Sequence, residues 1–320
     1  MADGAPPPFD PEFDEVLSRL AGTVPPAITP DLIEGFRALP PDPTVGGLVA
    51  ALGVTHEQRT VPGFEGAALN ASVFRSPAQG APGPGILYLH GGGMVFGNRF
   101  GGVGAYLSYI ASHGAVVITI DYRLAPEHPD PAPVEDCFAS ARWIAQHADE
   151  LGVDPGRIIV AGQSAGAGLA AGVCLLARDR DEPAIAAQVL VSPMLDDRND
   201  TGSAQQIDGR GVWDRTSNAT GWSALLGDRR GGDAVTDAAA PGRAIDLGGL
   251  PPAFLSVGSA EVFRDETVAY ASRMWAGGGD AELHVWPGGF HGFENFAPQA
   301  ALSRAAAAAR DGWLTRFLNR

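Results

Sequence analysis

The chain has 320 residues, 45% of them hydrophobic and 18% charged, and its 37 acidic against 22 basic side chains leave a formal charge of −15. This is the profile of a globular chain long enough for one large α/β domain or two ordinary ones. Its acidity repels phosphate backbones and anionic lipid, so neither nucleic acid nor a membrane surface is an expected partner, and neutral small molecules fit better than polyanions.

All basic residues are Arg, which a coding bias explains without any appeal to function. Cys137 and Cys174 make no disulfide framework and have no zinc-ligand spacing, which points to a reducing compartment and to no metal. The stretch from Met1 to Val16 is rich in proline and acid and lacks the basic and apolar parts of a secretory signal. No run approaches the roughly 18 to 20 apolar residues of a membrane span. A cytoplasmic protein is the expectation.

In chain order, Asp10-Pro11 caps a predicted amphipathic helix with Phe13, Val16, Leu17 and Leu20 on one side and Gly22 at its end. Thr29-Pro30 opens a second, with Leu32, Ile33, Phe36 and Leu39. The links Pro25-Pro26 and Pro40-Pro41-Asp42-Pro43 make this part a hinged appendage. His56 to Val61 and Leu69 to Arg75 alternate like antiparallel strands with one exposed face.

Short apolar runs follow at Ile86 to Leu89, Ala115 to Ile120, Arg157 to Ala161, Val189 to Val191, Ala253 to Val257 and Leu283 to Trp286. Helical segments lie between and after them, at Val134 to Ala148, Leu169 to Ala177, Thr267 to Ala276 and Pro298 to Leu318. Such alternation signals an α/β fold, a mostly parallel, doubly wound sheet covered on both faces. The rhythm breaks between Asp196 and Pro252, where a simple crossover would be shorter. Long connections of this kind act as lids or binding loops. The expected division is therefore cap helices over 1–50, one main α/β domain over 51–195 and 252–320, and a cap or lid insertion over 196–251.

The most informative stretch is Gly162-Gln163-Ser164-Ala165-Gly166, entered from a predicted strand and left by a helix. This is the context of a nucleophile elbow, a turn too tight for side chains at the flanking glycines, with Ser164 as the candidate nucleophile. A serine hydroxyl is a weak nucleophile until a base takes its proton. His291, within Gly288-Gly289-Phe290-His291-Gly292-Phe293 after the last predicted strand, is the candidate base. Charge building on a carbonyl oxygen needs prepositioned donors. His90-Gly91-Gly92-Gly93, directly after a strand, can turn the N–H groups of Gly91, Gly92 and Gly93 toward it, together with that of Ala165. His90 reads as a structural residue pinning the loop.

These motifs, with Asp121-Tyr122-Arg123-Leu124-Ala125-Pro126-Glu127, resemble the hormone-sensitive-lipase family of α/β-hydrolases, the bacterial carboxylesterases with an HGGG loop. The resemblance spans about 200 residues in the family's order. It implies an eight-stranded sheet, a cap made of the N-terminal helices and the insertion, no cofactor, and hydrolysis of short to medium acyl esters through an acyl-enzyme on Ser164. Family members are often dimers, so a homodimer is an expectation of the resemblance alone. Two departures are Gln163, where the family usually carries an acidic or small residue, and Met94, where an aromatic is common.

The family's acid follows the penultimate strand. Aligning Arg264-Asp265-Glu266 with the family's Arg-Asp-Glu selects Glu261, with Asp265 and Asp196 as rivals. Other uses of the same residues are an acyltransferase, a lactonase or amidase, or a ligand-binding relative without chemistry; the last predicts a missing catalytic residue. Phe13, Leu32, Phe36, Trp213 and Trp222 are candidates for an apolar entrance, each also explicable as packing.

Overall fold

The apolar runs form eight strands of one sheet in the computed structural model, which describes residues 5–319 except Pro26 and Gln79. Pro26 of the predicted proline link, and the first four residues of the acidic N-terminal stretch, lie outside the described residues. The strands are β1 (Thr55–Pro62), β2 (Ala68–Arg75), β3 (Gly83–Leu89), β4 (Val116–Ile120), β5 (Val153–Gln163), β6 (Ala187–Val191), β7 (Ala253–Gly258) and β8 (Ala281–Trp286). Their spatial order is β1-β2-β4-β3-β5-β6-β7-β8, with β2 antiparallel to both neighbours and every other pair parallel.

β3, β4, β6 and β7 are buried along their whole length, which is why they read as unbroken apolar runs; β1, at the edge, alternates instead. The helices are α1 (Asp14–Ala21), α2 (Ile33–Arg37), α3 (Thr44–Leu52), α4 (Ser108–His113), α5 (Ala132–Gln146), α6 (Ala148–Leu151), α7 (Ala165–Arg180), α8 (Gly202–Gln206), α9 (Arg215–Leu226), α10 (Arg264–Ala276), α11 (Phe293–Phe296) and α12 (Ala301–Leu318).

Alternate side chains of each strand point to opposite faces. Leu87, Leu89, Ile158 and Val160 meet Phe138 of α5, Val173 of α7 and Tyr270 of α10 in the larger core. Ile86, Tyr88, Val117 and Ile159 meet Val45 of α3, Ile110 of α4 and Leu314 of α12 in the second.

Three features differ from the sequence reading. α3 was not anticipated, because Gly46 and Gly47 weaken a helical pattern that also lacks a polar side. The 196–251 connection contains two α-helices, and Trp222, Leu225 and Leu226 of α9 are buried in the larger core. α9 begins where the Asp214 carboxylate accepts the Ser217 N–H at 2.7 Å. The first amphipathic helix packs beside the last loop of the sheet: Phe13 meets Phe290 edge-on at 5.1 Å, and the Asp10 N–H donates to the Gly288 carbonyl at 3.0 Å.

Candidate active site

β5 delivers Ser164 to the start of α7 through a turn that only this sequence pattern permits. A Cβ on Gly166 would come within 2.1 Å of the Leu89 carbonyl oxygen, so β3 and α7 can approach only because residue 166 has no side chain. Ser164 itself is held at φ 58°, ψ −123°, a conformation costly for a residue with a side chain. The strain is held by its backbone: its N–H donates to the Val191 carbonyl at 2.8 Å, and its carbonyl accepts from Gly168 and Met194, both at 3.1 Å.

The loop after β8 brings His291 to this serine. His291 Nε2 lies 3.0 Å from Ser164 Oγ, and Nδ1 lies 2.8 Å from Oε2 of Glu261. Glu261 follows β7 and is fully buried. Its Oε1 has no hydrogen-bond partner among the described residues, which leaves His291 as the strong contact of that carboxylate. A carboxylate at Nδ1 sets the tautomer with a bare Nε2, the form that can receive a hydroxyl proton. Neither rival acid reaches the histidine. Asp265 accepts the Ser203 N–H at 2.7 Å and pairs with Arg264, and Asp196 pairs with Arg198.

The glycine loop after β3 closes the other side. Gly93 has φ +60°, and a Cβ there would come within 2.1 Å of the Trp213 ring, so its lack of a side chain serves both the backbone and the packing. The N–H groups of Gly91, Gly92, Gly93 and Ala165 donate to no protein acceptor among the described residues. Gly91 lies against the serine turn, where an added Cβ would be 3.1 Å from the Gln163 carbonyl oxygen and 3.3 Å from the Ser164 Cβ.

His90 holds this loop. Its Nδ1 lies 2.7 Å from the Gly91 carbonyl, which can only accept, so Nδ1 carries the proton. The ring stacks on Tyr122 at 4.2 Å, and the Tyr122 hydroxyl donates to the His90 carbonyl at 2.8 Å. Burial disfavours the charged imidazole and pushes its pKa from 6.5 down to about 4. The unfolded chain therefore binds more protons between those values, so this stabilisation is complete above about 6.5 and is lost as pH falls toward about 4.

The expected loss is about 3 kcal/mol over that window. His90→Asn keeps a donor for the Gly91 carbonyl but cannot titrate. Urea unfolding should therefore show the stability advantage of wild type over this variant shrinking as pH drops. An advantage that stays constant from pH 7 to pH 4 would contradict the burial argument.

Ser164, His291 and the three loop glycines line one cavity of about 390 Å³. Phe36 and Trp213 line it as well, together with Val24, Ile28, Leu39 and Phe96, and among the described residues no Asp, Glu or Arg side chain is in its wall. Of the other entrance candidates, Phe13 and Trp222 are buried elsewhere and Leu32 is not in the wall. Sequence reasoning missed Asn295, whose side-chain N–H donates to Oε1 of Gln163 at 2.6 Å, tying the loop of His291 to the serine turn. Its place four residues after the histidine was the available signal. Among the described residues no cluster of His, Cys, Asp and Glu could hold a metal, and no helix is long and apolar enough to cross a membrane.

Residues 86–295 match a family model described as the alpha/beta hydrolase fold. The chain is 36% identical over 305 residues to carboxylesterase NlhH of Mycobacterium tuberculosis, with 90% of each chain covered. It is 38% identical over 220 residues to esterase LipI of the same organism, with 68% of each covered. The crystal structure of esterase LipW from Mycobacterium marinum superposes with a TM-score of 0.86 at 30% identity, covering 99% of each chain.

Proposed function

This chain belongs to the hormone-sensitive-lipase-like family of α/β-hydrolases, and from that premise we propose that it cleaves small carboxylic esters through an acyl-enzyme on Ser164. It is a carboxylic ester hydrolase. The observation that carries the residue assignment is the unbroken chain from Ser164 Oγ to His291 Nε2 at 3.0 Å and from His291 Nδ1 to Glu261 at 2.8 Å.

In the first half-reaction His291 Nε2 takes the Ser164 proton as Oγ attacks the ester carbonyl. Negative charge passes to the carbonyl oxygen, where the N–H groups of the glycine loop, Gly91, Gly92 and Gly93, and of Ala165 receive it. Glu261 stabilises the imidazolium. The imidazolium then gives its proton to the departing alkoxide, which leaves as the alcohol. In the second half, water loses a proton to His291, attacks the acyl-serine, and the carboxylic acid leaves as Ser164 Oγ recovers the proton.

The N-terminal segment and the 196–251 connection are the proposed cover of the pocket. Val24, Ile28, Phe36 and Leu39 of the first and Val212 and Trp213 of the second contribute to its wall. A cavity of about 390 Å³ walled by Phe36, Phe96 and Trp213 favours acyl groups that are short or of medium length. A series of aryl esters of increasing acyl length tests this. The expected kcat/KM peaks at or below about six acyl carbons and falls at least tenfold by about twelve. A flat profile, or a maximum at the longest ester, would refute the size limit.

A further inference from the structure

Arg37, the last residue of α2, lies outside every motif and far from Ser164 in the chain, yet each of its five N–H donors has a partner. Nε donates to the Val95 carbonyl at 2.8 Å, and Nη2 to the Ala125 carbonyl at 2.7 Å and to Glu127 at 2.8 Å. Nη1 donates to Glu127 at 2.9 Å and to Glu34 at 3.0 Å. Of these contacts, the two with carbonyls matter most. The carboxylates of Glu127 and Glu34 are 54% and 81% exposed, and ion pairs in that setting contribute little.

The carbonyl contacts reach the glycine loop directly. Val95 and Phe96 both donate their N–H groups to the Gly92 carbonyl, at 3.0 and 3.1 Å, so residues 92–96 form one closed turn. The Ala125 N–H donates to the Met94 carbonyl at 2.9 Å, so the same turn is held from the Ala125 side. Arg37 bridges the two segments from above. Its neighbour Phe36 stacks on Phe96 at 4.9 Å with 21° between the rings. A helix that covers the pocket is thereby fastened to the backbone that carries the proposed oxyanion donors.

We infer that Arg37 is a positioning residue that couples the seating of α2 over the pocket to the geometry of the Gly92 and Gly93 N–H groups. This rests on the reading of those groups as oxyanion donors. The planar guanidinium suits this place because two of its nitrogens, Nε and Nη2, hold the two carbonyls in a fixed fork, whereas an ammonium offers a single nitrogen on a flexible stem. Glu127 adds an exposed ion pair to the fork, and its carboxyl is held down to about 2, chiefly by the hydrogen bond from Arg37.

A plain cover would affect substrate binding, whereas loosened oxyanion donors weaken the transition state more than the ground state. Arg37→Met should lower kcat roughly tenfold to a hundredfold while KM changes less than about threefold. Affinity for a trifluoromethyl ketone, whose serine adduct carries the oxyanion, should fall by the same factor as kcat/KM. Glu127→Gln, which leaves both carbonyl contacts, should cost less than about threefold. Arg37→Lys keeps the charge but not the fork and should still lose about tenfold in kcat, so it carries the test if Arg37→Met does not fold.

Wild-type kcat in either Arg37 variant overturns the inference, as does a loss confined to KM. Equal losses in Glu127→Gln and Arg37→Met overturn it too, because the ion pair would then be the operative contact. The ketone keeps the two claims apart. If wild type binds it no better than the corresponding methyl ketone, the oxyanion reading fails and takes this inference with it. If wild type binds it tightly and Arg37→Met binds it equally well, only the coupling fails.

Discussion

Replacing Ser164 with alanine is expected to lower kcat by a factor on the order of 10⁶ while leaving the fold intact. On the proposed mechanism the hydroxyl forms and releases the acyl bond in step with His291, 3.0 Å away. Among the described residues no second hydroxyl or thiol lines the cavity: Cys137 and Cys174 are both buried elsewhere in the larger core. The residual rate should stay above that of water, since the donors of the glycine loop and Ala165 remain in place. The backbone at φ 58° suits alanine no better than serine, so stability should change little in either direction. An alanine variant with more than a hundredth of the wild-type kcat would show that the acyl group travels elsewhere.

The second large effect belongs to the acid. Glu261→Gln keeps the size of the side chain but removes the charge that faces His291 Nδ1 at 2.8 Å, and an amide placed there can present its NH₂ to the ring and favour the wrong tautomer. A fall in kcat of about 10³ to 10⁴ is expected. Asp265→Asn and Asp196→Asn should each cost less than about tenfold, because the partners of those carboxylates are Ser203 with Arg264, and Arg198. Steady-state kinetics on the three variants separates the possibilities. Near-full activity in Glu261→Gln, with loss in either of the others, would reassign the acid.

Much of this arrangement could be read from the residues because its causes are local. The sheet announced itself through runs such as Val116–Ile120, which are continuous in sequence because they are buried on both faces. The serine turn was legible because Gly162 and Gly166 flank it for a steric reason that holds wherever a strand turns this sharply into a helix. β5 proved longer than its apolar run: Asp154-Pro155-Gly156 hid its first residues behind what reads as a turn. α9 was hidden by Thr216, Ser217, Asn218 and Thr220, residues with low helix propensity, and its place was decided by the burial of Trp222, Leu225 and Leu226. Tertiary burial overrode propensity there.

What could not be read are contacts between distant segments. Phe13 looked like a pocket residue because an amphipathic stripe shows that a face is covered without showing by what; its partners, Phe290 and Phe293, lie at the other end of the chain. The role of Arg37 is equally silent, since two of its acceptors are backbone carbonyls, 58 and 88 residues away, and any residue type has a carbonyl. The same packing bears on truncation. Residues before Leu39 include Phe13 and Asp10, which support the loop of His291, and Arg37, which grips the glycine loop, so removing them would disturb both sides of the serine at once. Single substitutions are the cleaner probe of the pocket cover.

The claim that chemistry passes through Ser164 is tested most directly by mass spectrometry after exposure to an aryl organophosphate, which leaves a stable phosphoryl group on an activated serine. The predicted result is one adduct per chain, mapped to the peptide that contains Ser164, appearing as activity is lost and absent from Ser164→Ala. An adduct on another residue that tracks the loss of activity, or complete inactivation with Ser164 unmodified, would contradict it.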